Sequence, residues 1–335
     1  MSHLAFTLPL ADPLPDHRIS LPEIVRAQTV IDPVFLNSPQ YDCEPLNTAL
    51  GCQLTLKVET INPIRSFKGR GADFLISNLK AEAVQKKQPI VGASAGNWGQ
   101  ALAYSCRAAG LPLILYASVN ANPLKVERMR ALGAEVRPAG VDFDASKTAA
   151  QEFAQEAGLR MVADGLDVEA SEGAGTMAME LLAHGAQYDA VLVPLGNGAM
   201  LTGIARWFKA ASPATQIYGV CATGADAMEK SWRSGRILLP PSIATIADGI
   251  GVRVPIPEAV KDMNGIVDDV LLVEDSGIVD AMRLLHQQAG LIAEPSGAAG
   301  VAALMAHRER FAGQRVATIV CGGNLTEEQI RQWLM

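Results

Sequence analysis

The feature that most narrows the fold of this sequence is an alternation that begins near Leu54 and runs to the C-terminus. Short apolar runs (QLTLKV, PIVGAS, LPLILYA, AEVRPA, RMVAD, YDAVLVPL, QIYGVCA, VLLVE, RVATIVC) alternate with longer amphipathic ones. The longer runs are DFLISNLKAEAVQ, NWGQALAYSCRAA, NPLKVERMRAL, ASKTAAQEFAQEA, GTMAMELLAHG, MLTGIARWFKAA, SGIVDAMRLLHQQA and GAAGVAALMAHRERF. Helices of about 10–15 residues between short strands predict βαβ units and a largely parallel sheet. Asn122–Pro123 predicts a helix start and Gly133 its end; Ser276 and Gly290 bracket another. The first 45 or so residues are Pro-rich and weakly periodic, an arm with one short helix near Leu21–Ala27. A chain of 335 residues has room for about two domains. No Pro/Ser/Gly linker divides it, so the chain is expected to cross between domains more than once. There is no internal repeat.

Composition removes several classes of function. With 49% hydrophobic and 19% charged residues the chain is globular rather than disordered. Its net charge is −7 and it has no basic run, which disfavours a nucleic-acid partner. The five cysteines, Cys43, Cys52, Cys106, Cys221 and Cys321, are widely spaced with no CxxC pair. They read as reduced thiols of a cytoplasmic protein rather than a disulfide framework or zinc site. The N-terminus carries Asp12 and Asp16 and no basic segment, unlike a secretory signal. The long charge-free stretch Gln88–Cys106 holds Ser94, Asn97, Gln100 and several glycines, so no membrane span is expected there.

In open α/β sheets ligands sit at the carboxyl ends of strands. Four such junctions are rich in Gly and small polar residues. Asn62–Gly71 places Lys68 at a helix start, where the helix dipole favours the neutral amine that a Schiff-base nucleophile needs; a surface lysine is the plainer alternative. Gly92–Gly99 offers backbone N–H groups, with Ser94 and Asn97, to an anion, or is an ordinary helix start. Pro194–Gly203 carries Gly196-Asn197-Gly198-Ala199, a phosphate cradle without the GxGxxG spacing of a dinucleotide fold and with no P-loop lysine. Ile319–Asn324 puts Cys321 at a strand end, as a core thiol or a ligand's hydrogen-bond partner. Glu294 adds a carboxylate at another helix start. None of the histidines (His3, His17, His184, His286, His307) falls in these loops, so a Ser-His or Cys-His pair has no base, and there is no cluster with metal-ligand spacing.

Taken in order, these loops resemble the fold-type II enzymes that use pyridoxal phosphate, in the serine/threonine dehydratase and serine racemase branch. The resemblance runs from about Pro45 to Asn324. It rests on NPIRSFKGRGA, SAGNWGQALAY, KVERMRALGAEV, VPLGNGAMLTGI, TIADGIGV, DDVLLVED, EPSGAAGVAAL and CGGN. It implies two open, twisted, mostly parallel sheets with flanking helices and pyridoxal phosphate in the cleft between domains. The small domain would be 89–164, and the large one 1–88 with 165–335. The resemblance makes Lys68 the lysine that forms the Schiff base with the cofactor, and later the base at Cα. Phe67 would pack on the cofactor ring and Asn97 bond its hydroxyl. Gly196, Asn197, Gly198, Ala199 and Met200 would hold the phosphate, and Cys321 would sit beside the pyridine nitrogen. Ser94, Ala95, Gly96 and Asn97 would grip the substrate carboxylate, with Glu294 nearby.

The reaction implied is loss of water from a β-hydroxy amino acid such as threonine or serine, giving a 2-oxo acid and ammonia. A racemase, a β-replacement synthase and a non-catalytic amino-acid-binding regulator are the alternatives. The protein would be a homodimer. The sequence departs from the family's NPTGSFK at Ile64-Arg65, from its unbroken glycine run at Asn197 and Ala199, and from a common histidine at Trp98; Arg65 and Trp98 are candidates for lining the substrate side of the pocket. Metal-dependent members carry acidic ligands where this chain has Cys221 and Ala227, with only Asp226 acidic nearby, so no divalent metal is expected. Racemases in this branch carry a serine where this chain has Ala95, and a methyl group cannot relay a proton.

Overall fold

The computed structural model describes residues 12–86 and 88–335. The readings that fall on residues 1–11, the missing secretory signal and the start of the arm, lie outside the described residues. The strands are β1 (Gln40–Asp42), β2 (Gln53–Val58), β3 (Ile90–Ala93), β4 (Leu113–Ala117), β5 (Glu135–Pro138), β6 (Met161–Val162), β7 (Ala190–Pro194), β8 (Gln216–Ala222), β9 (Asp269–Val273) and β10 (Arg315–Val320). The helices are α1 (Leu21–Val30), α2 (Glu44–Leu50), α3 (Lys68–Lys86), α4 (Asn97–Ala109), α5 (Pro123–Ala131), α6 (Phe143–Ala157), α7 (Val168–Leu181), α8 (Ala199–Ala211), α9 (Ala227–Ser234), α10 (Pro257–Asp262), α11 (Asp275–Ala289), α12 (Pro295–Ala306), α13 (Arg308–Phe311) and α14 (Glu327–Leu334).

The strands form two sheets, one ordered β1-β2-β10-β7-β8-β9 and the other β5-β4-β3-β6. Every pairing is parallel except β1 with β2. The apolar runs are continuous because helices cover both sheet faces. Alternate side chains therefore enter two different cores. In the larger sheet, Leu192, Val316 and Val320 face the core under α2, α11 and α12, whereas Val191, Val193, Ala317 and Ile319 face the core under α7 and α8. In the smaller sheet, Leu113, Leu115 and Ala117 point toward α3 and α4, and Ile114 and Tyr116 toward α6.

Local signals place most helix ends. Asn122 accepts the Leu124 N–H at 2.9 Å and Pro123 opens α5. Ser20 caps α1, which runs three residues past the expected Ala27. Two expectations need correction. Ser276 does not cap α11: Glu274 is its N-cap and Ser276 lies within the first turn, although Gly290 ends the helix as expected. The run GAAGVAALMAHRERF is broken at His307 into α12 and α13.

The glycines beside Lys68 serve packing. A Cβ on Gly69 would lie 2.3 Å from the Phe35 ring, and one on Gly71 would lie 2.7 Å from Ala170 Cα. Helix α3 thus presses its first turn directly onto the backbone of α7. Beneath that turn, Arg70 is fully buried and doubly bonded to Glu59 and to Glu180.

Candidate functional site

Strand order brings the loops together. β10 lies between β2 and β7, with Val320 opposite Val58 and Thr318 opposite Leu192. The loops that follow these three strands therefore emerge side by side. They are the Lys68, Cys321 and Gly196 loops. The Ser94 loop, at the end of β3, reaches the same place from the second sheet. Between them lies a cavity of about 420 Å³ lined by Phe67, Lys68, Ser94, Ala95, Gly96, Asn97, Gly196, Asn197, Gly198, Met200, Glu294 and Cys321, among others. Ala199 does not line it: it is buried at the start of α8, and its N–H turns to Asn197 Oδ1 at 3.3 Å.

Lys68 Nζ lies 4.5 Å from the centroid of the Phe67 ring. The helix-dipole argument for a neutral amine left out a carboxylate, because Nζ forms an ion pair with Asp164 Oδ2 at 2.5 Å. Asp164 carries no local signal in the sequence. It follows the short strand β6, and only the tertiary fold brings it to Lys68.

Asn97 is held from two sides. Its Nδ2 donates to Glu294 Oε1 at 2.8 Å, and its Oδ1 accepts from Asn324 Nδ2 at 2.8 Å. Glu294 also accepts from Ser296 Oγ and from the Asn324 N–H. Burial raises the Glu294 carboxyl above its ordinary range, and nearby Asp248 adds to this. Asn324 further donates to the Ile64 carbonyl and accepts from Arg128. It joins three of the loops and was legible only as the last letter of CGGN. Ser94 Oγ accepts the Gly96 and Gly99 N–H groups at 3.1 and 3.0 Å, which secures the α4 start and leaves its own proton to donate. Trp98 is buried and lines the cavity, whereas Arg65 is exposed and does not. Arg65 sits in the left-handed region at φ 52°, which explains why glycine suits this place in the family pattern.

The residues present fit pyridoxal phosphate. Gly198 caps α8 at φ 100°, and a Cβ on Gly196 would lie 2.8 Å from the Gly249 carbonyl, so the cradle is bare backbone at a helix N-terminus, suited to a phosphate. Cys321 is buried, and burial first, then Glu294, pushes its thiol well up, so it faces the cavity neutral. Cys221 is also buried, donating to the Leu195 carbonyl, and Asp226 pairs with Lys230 at 2.8 Å.

A second cavity of about 610 Å³ adjoins the first and shares Ser94, Trp98, Phe143, Asp164, Asn197, Gly251 and Val252 with it. Polar contacts bridge the cleft beside these spaces: Lys125 to Asp248 at 2.6 Å, and Arg253 to Asp144.

Lys68 thus shares a cavity with the glycine-rich start of α8, between two mostly parallel sheets. The chain belongs to the pyridoxal-phosphate dependent enzyme family, whose pattern matches residues 31–322. It is 31% identical over 296 residues to the biosynthetic L-threonine dehydratase of Pasteurella multocida, covering 88% of this chain and 57% of that protein. The chain thus spans little more than half of that relative. It is 31% identical to the L-threonine ammonia-lyase of Thermotoga maritima, covering 93% of this chain and 77% of that one. Among solved structures, maize serine racemase superposes with a TM-score of 0.86 at 28% identity, over 93% of this chain and 96% of that one. The two-sheet α/β architecture expected from the family pattern is therefore the one present.

Proposed function

We propose that this protein removes water from a β-hydroxy amino acid such as serine or threonine, releasing a 2-oxo acid and ammonia. The observation that carries this reading is Lys68 at the head of α3, opening into a cavity walled by Gly196, Asn197, Gly198 and Met200, the Ser94–Asn97 loop and the neutral Cys321 thiol. The ammonia-lyase relatives support it. Pyridoxal phosphate, when bound, supplies the sink for the electrons left at Cα.

The chain's own residues do the rest. Gly196, Asn197, Gly198 and Met200 would hold the phosphate at the α8 N-terminus, Lys68 and Phe67 would hold the ring side, and Asn97, steadied by Glu294 and Asn324, would present its remaining N–H. The Ser94 proton and the N–H groups at the start of α4 take the substrate carboxylate. Lys68 Nζ accepts the Cα proton. The neutral Cys321 thiol would hydrogen-bond the cofactor's ring without an anion, which would temper the electron sink the cofactor supplies. Ala95, lining the cavity, has no proton to relay from the opposite side, which weighs against racemisation.

We take residues 89–164, which carry the smaller sheet, as a small domain within a larger one made of 1–88 and 165–335. A cytoplasmic location suits the five free, buried cysteines. The homodimer rests on the family resemblance and is checked by light scattering. The test of function is 2-oxo acid release from a panel of β-hydroxy amino acids, with Lys68→Ala alongside. Wild-type protein releases the 2-oxo acid, and the variant loses both the activity and the visible absorption of the holoenzyme. Full activity in Lys68→Ala, or no release from any substrate, overturns the reading.

A further inference from the structure

A β-hydroxyl is a poor leaving group because its oxygen must gain a proton as the Cβ–O bond breaks. Lys68 Nζ is placed to return that proton, and Asp164 is the carboxylate that touches it. Its Oδ2 lies 2.5 Å from Lys68 Nζ. Its Oδ1 is buried and has no hydrogen-bond partner. An unpartnered buried carboxylate oxygen is costly, so a donor is expected to meet it when substrate is present. Asp164 also lines both cavities, at the junction between the cofactor space and the larger adjoining space.

The other carboxylates of the first cavity are committed. Glu294 accepts from Asn97, Ser296 and Asn324, and Asp248 pairs with Lys125. Asp164 is also held firmly. The Asp167 carboxylate fixes its turn by accepting the Ala163 N–H at 2.6 Å and pairing with Arg160. Next to it, Gly165 adopts φ 82° and a Cβ there would lie 3.0 Å from the Asn197 carbonyl, so the turn rests on the phosphate cradle.

We propose that Asp164 is a positioning residue for the departure of the β-hydroxyl, and this rests on the lyase reading above. Lys68 Nζ takes the proton from Cα. Asp164 Oδ2 holds the resulting ammonium, and Oδ1 accepts the hydrogen of the substrate β-hydroxyl, which turns the hydroxyl lone pair toward Nζ. As the Cβ–O bond breaks, its electron pair stays on oxygen and Nζ returns the proton there. The substrate has then lost H from Cα and OH from Cβ, together one water. The site thereby selects amino acids whose β-group must leave with a proton.

The experiment compares wild-type and Asp164→Asn holoenzyme on L-serine and on β-chloro-L-alanine, measuring pyruvate release. Chloride leaves without a proton, so only the serine reaction needs the device. Asparagine keeps the size but not the charge. Because Oδ2 also holds Lys68 in both reactions, the readout is the ratio of losses: kcat/KM for L-serine is expected to fall about 100-fold or more further than that for β-chloro-L-alanine, with pyridoxal phosphate affinity, read by fluorescence titration, within about threefold. Equal losses on both substrates, or no loss on serine, overturn the proposal. Wild-type protein that releases a 2-oxo acid from neither of these substrates nor any other β-hydroxy amino acid overturns the lyase reading itself, an outcome distinct from either of these.

Discussion

Replacing Arg70 by methionine removes the centre of a closed ionic cluster. Its guanidinium is wholly inaccessible and bonds Glu59 at 2.8 and 2.9 Å and Glu180 at 2.6 and 2.9 Å, with Thr176 at 2.9 Å. Lys57 Nζ adds a second cation 2.5 Å from Glu180. Two cations thus balance two carboxylates. Burial works to raise the Glu180 carboxyl, but Arg70 and then Lys57 outweigh it and hold it at about 2. Methionine fills much of the volume but leaves two buried carboxylates with one cation. Breaking a buried pair this way costs about 3–5 kcal/mol. That is a large part of the roughly 5–15 kcal/mol a domain commands. With an unfolding entropy of about 0.7 kcal/mol/K for a chain of this length, Tm falls by about 4–7 °C.

The uncompensated carboxylate must take up a proton, so its folded pKa lies above its unfolded value, and the deficit grows as pH rises from about 4.5 toward 8. The double variant Arg70→Met/Glu59→Gln restores charge balance and recovers much of the loss. Thermal denaturation of the three proteins at pH 5 and pH 8 measures this. A single variant within about 1 kcal/mol of wild type, or a double variant less stable than the single, refutes the reasoning.

Two further outcomes concern stability. Glu172 is buried on α7, and burial raises its carboxyl to about 7 although it accepts the Ser20 N–H at 3.0 Å. A folded pKa above the unfolded one means stability is lost as pH rises from about 4.5 through 7, so Glu172→Gln gains up to about 3 kcal/mol at pH 8 and little at pH 4.5; parallel Tm–pH curves would contradict this. At Arg65, whose φ of 52° is strained for any residue with a Cβ, Arg65→Gly is more stable than Arg65→Ala by about 1 kcal/mol in denaturant midpoints, and equal midpoints count against the strain.

The chemistry proposed here was legible because it rests on loops whose composition is constrained locally. A phosphate cradle needs bare backbone, and a lysine nucleophile needs a helix start, so Gly196, Gly198 and Lys68 stand out in one dimension. The strands were legible for a similar reason: with both faces covered, β7 and β10 are continuous apolar runs. Elements without that pressure were not. β1 is a three-residue edge strand, Gln-Tyr-Asp, with no apolar face. α14 is short, though its capping box, Thr326 with Gln329, was a readable signal.

The sequence by itself determined the alternation of strands and helices and the composition of the loops that line the cavity, Lys68 among them. These follow from local conformational preference and from burial patterns with short periods. Only the tertiary structure decided which charges meet. Asp164 reaches Lys68, Glu180 reaches Arg70, and Asn324 reaches Asn97 across long separations in sequence. A single carboxylate or amide in a turn looks the same whether it faces water or a partner, and its partner is fixed by the order of strands in the sheets.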